Sequence, residues 1–487
     1  MNISYAHLLN NSQNSSTSKR RKYSFHLSVL MIAFILSPLL VFSQPSAQQN
    51  LTAKVDSIAT RVLKDTGVPS ASVAVVQHGH LIYTQAYGLA KLDPKVAATP
   101  DMRYAIGSIS KQFTSAAILL LEQQGKLSLD DHVSKWLPDL TRADEVTIRQ
   151  LLSHTSGYQD FWPQDYVPPL MQKPMAPSKV LDRWAKKPLD FDPGTKWQYS
   201  NTNFLIAAQI VEEVSGKPIY DFVKEHILQP LDMSSAVNYD AGNMTAKDPT
   251  GYMRYGLGPL RKAKPEGSGW MSGAAELAMT PRDLAAWDIS MINESLLSKK
   301  SYKQLETEVR LNNGVGTHYG LGVSVGMMNG HHMISHSGEV SGFTADNMVF
   351  PEDSAAVVVL TNQMAASAAG SIAGKVSHLF FKTQDKHTKM RTEQARKIFV
   401  GLQHGNIDRS LFTSDANAYF SQQALEDFQS SLGPLGEPKS FVQTSEHSRG
   451  GMLERSFRVV FPDRTLRVWT YQMPNGKLEQ YQIAPQS

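Results

Sequence analysis

Short apolar runs near both ends of the chain predict β-strands. Residues 71–76 and 81–83 are mostly β-branched, aromatic or small apolar residues, and a short turn containing Gly79 separates them. Two such runs with a glycine-containing connection predict a hairpin. Strand-like runs return only late in the chain, at residues 319–325, 331–335 and 357–360.

Between these strands the apolar positions recur at the helical spacing of three and four residues. Such patterns cover residues 51–63, 108–124, 204–214 and 280–292. Thr147 predicts the cap of a further short helix, and Thr280 followed by Pro281 predicts another helix start. Residues 158–177 are rich in Pro, Gln, Asp and aromatic side chains, and they predict a long irregular loop of the kind that is often functional.

The order of these elements predicts an α+β fold. Helical patterns lie between an early hairpin and late strands, so we expect one antiparallel sheet built from both ends of the domain, with a helical region inserted. After a polar stretch the pattern starts again, with a helix at 416–428 and strands at 440–444, 453–461, 465–471 and 477–483. We therefore predict a main domain at 44–382, a linker at 383–395 and a second, small α+β domain at 396–487.

The N-terminal 43 residues predict a targeting segment. A basic cluster at 19–22 precedes an apolar run at 27–42, and Ser43 provides a small residue at the end. This order is typical of a secretory signal peptide, so we expect a secreted or periplasmic protein. An uncleaved anchor is the alternative, although the run is short for a membrane span, and we expect no stable span after cleavage.

Composition excludes several function classes. Of 487 residues, 41% are hydrophobic and 19% charged, the net charge is +4, and no basic stripe stands out, so we expect no nucleic-acid partner. The chain has no cysteine, which excludes disulfides and thiolate metal sites. Because His331 and His332 lack a third ligand at useful spacing, we also expect no metal and no cofactor.

Ser108 and Lys111 form a Ser-x-x-Lys pattern at the start of a predicted helix. Positions i and i+3 share one helix face, so the lysine amine would lie close to the serine hydroxyl. A serine hydroxyl needs a base to become a nucleophile, and burial lowers the pKa of a lysine amine enough for that task. The alternative is that Ser108 is an ordinary helix cap.

Two further polar motifs stand before a helix and on a strand. Tyr199 and Asn201 precede the helical pattern at 204–214, and His336 and Gly338 follow the strand at 331–335. A glycine within a strand marks a close approach of another backbone or a ligand. Taken alone, each of these two motifs is explained better by ordinary packing or capping.

Taken in order, the three motifs resemble those of penicillin-recognising serine hydrolases. A second motif that begins with tyrosine is similar to that of the branch containing class C β-lactamases and D-Ala-D-Ala carboxypeptidases, as is the stretch at 151–157. The resemblance covers residues 51–381 and implies a three-layer α/β/α sandwich with a helical lobe. The C-terminal segment resembles small NTF2-like domains.

The resemblance also implies roles for individual residues. Ser108 would be the acylated nucleophile, Lys111 and Tyr199 would move protons, and Asn201 would orient Lys111 and the substrate amide. The backbone N–H groups of Ser108 and Glu339 would form an oxyanion hole. The remaining implied substrate-binding residues are His336 and Gly338.

His336 departs from the resemblance, because many β-lactamases carry a permanently charged lysine there. Histidine is only partly charged at neutral pH, which fits carboxypeptidases, D-aminopeptidases and esterases better. The side chains of Tyr158, Trp162 and Trp270 could line a substrate cleft, although aromatic residues more often simply pack.

We therefore expect an exported serine hydrolase that acts through an acyl-enzyme on amide or ester bonds. Its substrate would be a D-amino-acid peptide, including peptidoglycan-derived ones, a β-lactam or a small ester. The alternatives are a β-lactamase proper, a non-catalytic penicillin-binding sensor on the same scaffold, and a protein whose C-terminal segment carries the main function by gripping a partner.

Overall fold

The computed structural model describes residues 47–381, 386–449 and 452–486. The predicted signal segment, residues 1–43, lies outside this part of the chain. The predicted linker, residues 383–395, is described from residue 386 onward, where it is helical.

The main domain is built from the following strands and helices. The strands are β1 (Ser70–Gln77), β2 (His80–Leu92), β3 (Lys95–Ala97), β4 (Tyr104–Ala105), β5 (Val237–Asn238), β6 (Tyr252–Met253), β7 (Arg261–Lys262), β8 (Leu277–Met279), β9 (Ser324–Met328), β10 (His331–Val340), β11 (Phe343–Phe350) and β12 (Ala355–Thr361). The helices are α1 (Ala47–Thr66), α2 (Ser110–Gln123), α3 (Ile148–Leu152), α4 (Pro177–Trp184), α5 (Asn201–Ser215), α6 (Ile219–Val223), α7 (Pro281–Asn293), α8 (Lys299–Glu306) and α9 (Ala368–Phe380).

A seven-stranded antiparallel sheet, in the order β3-β2-β1-β12-β11-β10-β9, is covered by helices on both faces. Alternate side chains of a strand point to opposite faces. In β1, Val73 and Val75 pack with α1 and α9, whereas Ala74 and Val76 join the larger core on the other side. The predicted α/β/α sandwich with an antiparallel sheet is therefore confirmed.

Helix α2 lies at the centre of the larger core and is buried along nearly its whole length. It packs against α5 and α6 of the helical lobe, and the turn before it packs against β10 of the sheet. Polar side chains such as Lys111 and Gln112 are buried along with the apolar ones, so other elements surround this helix on all sides. This position places the start of α2 at the junction of the sheet and the lobe.

The C-terminal segment forms a second unit of secondary structure with its own hydrophobic core. Its elements are α10 (Lys386–Gln403), α11 (Ser414–Tyr419), α12 (Gln422–Leu432), β13 (Ser440–Arg449), β14 (Met452–Val460), β15 (Thr465–Gln472) and β16 (Leu478–Pro485). The strands form an antiparallel meander in chain order. An additional α+β unit is thus present, and its likeness to NTF2-like domains stays a prediction.

Several sequence-based predictions of elements differ from the structure, and β10 and β13 are longer than predicted. Strand β2 is much longer than residues 81–83, because it pairs with β1 as far as Gly88 and with β3 from Leu89 to Leu92. The helix predicted at 416–428 is two helices, since Ser421 starts a new one by accepting a hydrogen bond from the backbone of Ala424. The strand predicted at 319–325 begins only at Ser324, so Tyr319 lies in an irregular segment.

Other local signals are placed as predicted. Thr147 caps α3 through a capping box with Gln150, and Thr280 caps α7 ahead of Pro281. In the described ranges we find no helix with both the length and the apolar character needed to cross a bilayer.

Candidate active site

Ser108 lies in a tight turn immediately before α2. Residues Gly107–Ile109 form a single 3-10 turn, and Gly107 has a φ of +54°, which glycine adopts without strain. Ile109 occupies the cap position of α2, and no side chain caps that helix. The structure therefore contradicts the alternative that Ser108 is a helix cap, and its hydroxyl is available to the cleft that it lines.

The turn containing Ser108 is pressed against strand β10. A Cβ atom added at Gly338 would lie 1.9 Å from the carbonyl oxygen of Ile106 and 3.2 Å from the Ser108 nitrogen. A Cβ atom added at Gly107 would lie 2.6 Å from the Glu339 nitrogen. The two backbone amides expected to bind an oxyanion, those of Ser108 and Glu339, thus belong to segments that only glycine allows to approach so closely.

Lys111 is completely buried one helical turn beyond Ser108. Its Nζ lies 3.0 Å from Ser108 Oγ, and it donates to Asn201 Oδ1 at 2.8 Å and to the carbonyl oxygen of Ala274 at 2.9 Å. Those two oxygens can only accept hydrogen bonds. In the neutral amine they take both hydrogens, so the lone pair is directed at the Ser108 hydroxyl.

Burial also gives Lys111 the protonation behaviour of a base. Loss of hydration lowers the pKa of its amine from 10.5 to about 7, and the charge of Asp160 partly opposes that shift. A base is most effective when its pKa lies near the working pH. At neutral pH a substantial fraction of Lys111 is therefore free to accept a proton.

Tyr199 reaches the nucleophile from the loop before α5. Its hydroxyl forms a hydrogen bond with the Ser108 side chain, and burial raises the pKa of the phenol well above its usual value. The ring lies 5.0 Å from Lys111 Nζ and is tilted against the ring of His154 at 4.2 Å. Tyr199 is therefore protonated at neutral pH and is placed to donate a proton rather than to remove one.

Asp160 fixes the orientation of the Asn201 side chain. Asn201 Nδ2 donates to both carboxylate oxygens of Asp160, at 3.2 and 3.3 Å, and its backbone nitrogen donates to the same group at 3.0 Å. An amide held in this way must turn its oxygen in the opposite direction, toward Lys111. Asp160 is thus a positioning residue for the Lys111 amine.

We expect Asp160→Asn to lower kcat/KM roughly tenfold to hundredfold, because a neutral amide no longer enforces that orientation. The Asp160 charge raises the pKa of Lys111, so its loss lowers that pKa further and moves the acidic limb of the pH–rate profile to lower pH. Rates measured across pH test both effects. Asp182→Asn, in a surface ion pair on α4, is the matched control, and an unmoved acidic limb in Asp160→Asn contradicts the assignment.

His336 is buried at the cleft and is uncharged. Its Nδ1 donates to the carbonyl oxygen of Ser337 at 2.5 Å, so Nε2 accepts from the hydroxyl of Tyr319 at 2.8 Å. Burial, together with the nearby Lys111, lowers the pKa of His336 to about 4. The neutral imidazole is a polar wall of the cleft and offers no positive charge to a substrate carboxylate.

His154 lies buried beneath these aromatic groups. Its Nδ1 accepts from the backbone N–H of Ser200 at 3.2 Å, and its ring packs against Tyr199, Tyr319 and Phe204. Burial holds the pKa of this ring well below its usual value. His154 therefore supports the loop that carries Tyr199 and is not exposed to a substrate.

A cleft of about 640 Å³ opens in front of Ser108. Of the predicted aromatic residues, Trp162 and Trp270 line it. Tyr158 does not line the cleft, and its hydroxyl donates to the carbonyl oxygen of Thr141, so that prediction is corrected. The Glu339 carboxylate accepts a hydrogen bond from the backbone N–H of Ala365 at 3.0 Å and is therefore directed toward that residue.

The structure brings the predicted residues Ser108, Lys111, Tyr199, Asn201, His336, Gly338 and Glu339 into one site. Sequence reasoning missed Asp160 and Tyr319. In the sequence, Asp160 is distinguished only by its place in the long polar loop at 158–177. Tyr319 falls in a run that predicts a strand. Within the described residues, no group of three or more His, Asp or Glu side chains could hold a metal ion.

Comparisons with known proteins find matches over most of the main domain. The sequence profile of the family described as Beta-lactamase matches residues 55–376. Protein flp of Staphylococcus aureus strain MW2 is 29% identical over 319 residues, which cover 63% of this chain and 62% of that protein. The putative penicillin-binding protein PbpX of Bacillus subtilis strain 168 is 26% identical over 339 residues, which cover 69% and 81%. The chain thus spans about three fifths of the length of the flp proteins.

Solved structures give the same fold. A D-stereospecific amidohydrolase from Streptomyces sp. has a TM-score of 0.57 at 25% identity, over 68% of this chain and 98% of that chain. The octameric penicillin-binding protein homologue from Pyrococcus abyssi has a TM-score of 0.60 at 20% identity, over 89% and 99%. The D-amino acid amidase from Ochrobactrum anthropi SV3 has a TM-score of 0.62 at 21% identity, over 69% of this chain and 100% of that chain. The similarity to the last two structures concerns the fold alone. Because the profile match spans more than half of the sequence, the chain belongs to the Beta-lactamase family.

Proposed function

We propose that the protein is a serine hydrolase that cleaves amide or ester bonds through an acyl-enzyme on Ser108. One observation carries the proposal: the Ser108 hydroxyl contacts both the Lys111 amine, at 3.0 Å, and the phenol of Tyr199, at the floor of an open cleft. A base and an acid on either side of one alcohol are what acyl transfer requires.

In the proposed acylation step, Ser108 Oγ attacks the substrate carbonyl carbon while its proton passes to the lone pair of Lys111 Nζ. The carbonyl oxygen becomes an oxyanion that accepts from the backbone amides of Ser108 and Glu339. When the tetrahedral intermediate collapses, the C–N or C–O bond breaks. The leaving group takes a proton from the Tyr199 hydroxyl, which Lys111 then reprotonates.

In the proposed deacylation step, a water molecule attacks the Ser108 ester and gives its proton to the same amine–phenol pair. The C–Oγ bond breaks, the acid product leaves, and Ser108 recovers its hydroxyl hydrogen. The sum of the two steps is hydrolysis of one bond by one water molecule. Neither step requires a metal or a cofactor.

We propose D-amino-acid peptides or amides, β-lactams and small esters as the substrate classes, in an extracytoplasmic location. The similarity to a D-stereospecific amidohydrolase and to a putative penicillin-binding protein supports the first two classes. The basic and apolar pattern at the N-terminus supports export. The uncharged His336 favours amidase or esterase chemistry over strong β-lactam hydrolysis, because β-lactams carry a carboxylate.

A fluorophosphonate probe on the full chain tests the proposal. We expect the parent protein to be labelled, Ser108→Ala to be unlabelled, and Ser337→Ala, a serine exposed in the same cleft, to be labelled like the parent. Equal labelling of Ser108→Ala would refute the role of Ser108. Turnover of an ester, amide and β-lactam panel then separates an enzyme from a receptor that is acylated once and stops.

A further inference from the structure

The walls of the cleft carry negative charge and no compensating cation. Among the described residues that line it are four carboxylates and no lysine or arginine. The carboxylates belong to Asp160, Asp165, Asp190 and Glu339. Lys187 belongs to a smaller adjoining pocket and lies over the ring of Trp184.

The two basic groups at the catalytic centre place no full positive charge at the surface of the cleft. Lys111 is enclosed behind Ser108, with its hydrogens directed at Asn201 and the carbonyl of Ala274, and it does not line the cleft. His336 is neutral because burial keeps its pKa near 4. A substrate carboxylate therefore finds no positive partner in this cleft, and it meets like charges that repel it.

Two of the carboxylates face the same space from different elements. Asp165 belongs to the long loop at 158–177, and Glu339 belongs to β10 beside the nucleophile. Burial raises the pKa of Glu339, and the charge of Asp165 adds to that effect. Both side chains therefore add negative charge to the same cleft, and negative charge favours the binding of a cation.

The aromatic walls match a cation as well. The indole Nε1 of Trp162 donates to the carbonyl oxygen of Tyr166, and that of Trp270 donates to the carbonyl oxygen of Lys173. Both polar edges are therefore occupied by the protein's own backbone. Trp270 is fully buried, whereas the partly exposed ring of Trp162 gives the cleft an apolar face, and such a face attracts ammonium groups.

We propose that the cleft selects substrates that carry a positively charged amine, such as the free amino group of an amino-acid amide or ester, and disfavours substrates that carry a carboxylate. This inference rests on the proposed function and narrows its substrate class. Asp165 is the principal specificity residue, because it is exposed and, among the described residues, forms no hydrogen bond or ion pair.

Protection of Ser108 from a fluorophosphonate probe tests this proposal independently of the leaving group. The competitors are 2-phenylethylamine, 2-phenylethanol and 3-phenylpropanoate, which share a phenyl ring and differ in charge. We expect the amine to protect at a concentration about tenfold below that of the carboxylate, with the alcohol between them. Because Asp165 is exposed to solvent, the difference should shrink as salt concentration rises.

Asp165→Asn should reduce the advantage of the amine over the carboxylate. Asp130→Asn, which removes an exposed carboxylate paired with Arg149 outside the cleft, should leave that advantage in place. Equal or better protection by the carboxylate in the parent protein overturns the inference while leaving the hydrolase intact. Failure of the probe to label Ser108 in the absence of competitors overturns the proposed function itself.

Discussion

Replacing Lys111 by methionine is expected to lower kcat/KM by about three orders of magnitude, because the buried amine in contact with Ser108 is removed. In the parent protein the rate should fall as pH drops below about 7, where the amine becomes protonated. Steady-state rates on an activated ester, measured across pH, test both statements. The residual activity of Lys111→Met should lack this acidic limb.

Lys111→Arg distinguishes a base from a fixed charge. Arginine remains protonated at every accessible pH, so it cannot accept the proton of Ser108. If Lys111 acts as the base, arginine fails to restore activity. Substantial rescue by arginine, or retention of more than about a tenth of the activity by methionine, contradicts the assignment.

Lys111→Met should not destabilise the protein. The amine releases its proton near pH 7 in the folded chain and near pH 10.5 in the unfolded chain. Between these values the unfolded state binds more protons, so the stability of the parent rises with pH across this window and is lowest on its acidic side. We expect Lys111→Met to melt at or above the parent temperature at pH 6, since it no longer buries a charge.

Gly338→Ala is expected to separate the nucleophile from its oxyanion-binding strand. The new Cβ would lie 1.9 Å from the backbone oxygen of Ile106, which cannot rotate away as a side chain would. Strand β10 must shift, and the amide of Glu339 moves with it away from Ser108. We expect a loss of about two to three orders of magnitude in kcat/KM, as when one oxyanion donor is removed.

The same change should cost about 1–3 kcal/mol in the free energy of unfolding, as overpacking does. Gly326→Ala is its matched control, because Gly326 lies in β9 of the same sheet and an added Cβ there meets nothing within 4 Å. Labelling rates with the fluorophosphonate and urea unfolding curves measure both effects. Normal activity and stability of Gly338→Ala would show that the contact between turn and strand is not required.

Local signals in the sequence predicted most of the architecture. Thr147 with Gln150, and Thr280 with Pro281, start helices as their side-chain chemistry requires. The predicted boundaries were wrong where pairing with neighbouring strands decided them, as in β2, which extends because β1 and β3 lie beside it. Tyr319 lies outside strand β9, and its phenol forms a hydrogen bond with His336, a contact that no local pattern indicates.

The order of Ser108, Lys111, Tyr199 and His336 could be read from the sequence, because each motif stands beside a recognisable turn, helix or strand. The protonation states of these side chains could not be predicted from the sequence. Asn201 accepts from Lys111 across 90 positions of chain, and only that contact, with Asp160 behind it, fixes the direction of the amide.

The chain by itself therefore determined the elements, their layering and the list of reactive side chains, because these depend on periodicity and on neighbours a few residues apart. Only the tertiary structure decided that Lys111 is buried against Ser108 with a lowered pKa, that His336 is neutral and that the cleft is lined by carboxylates. These properties depend on burial and on charges from distant segments, and no local pattern records either.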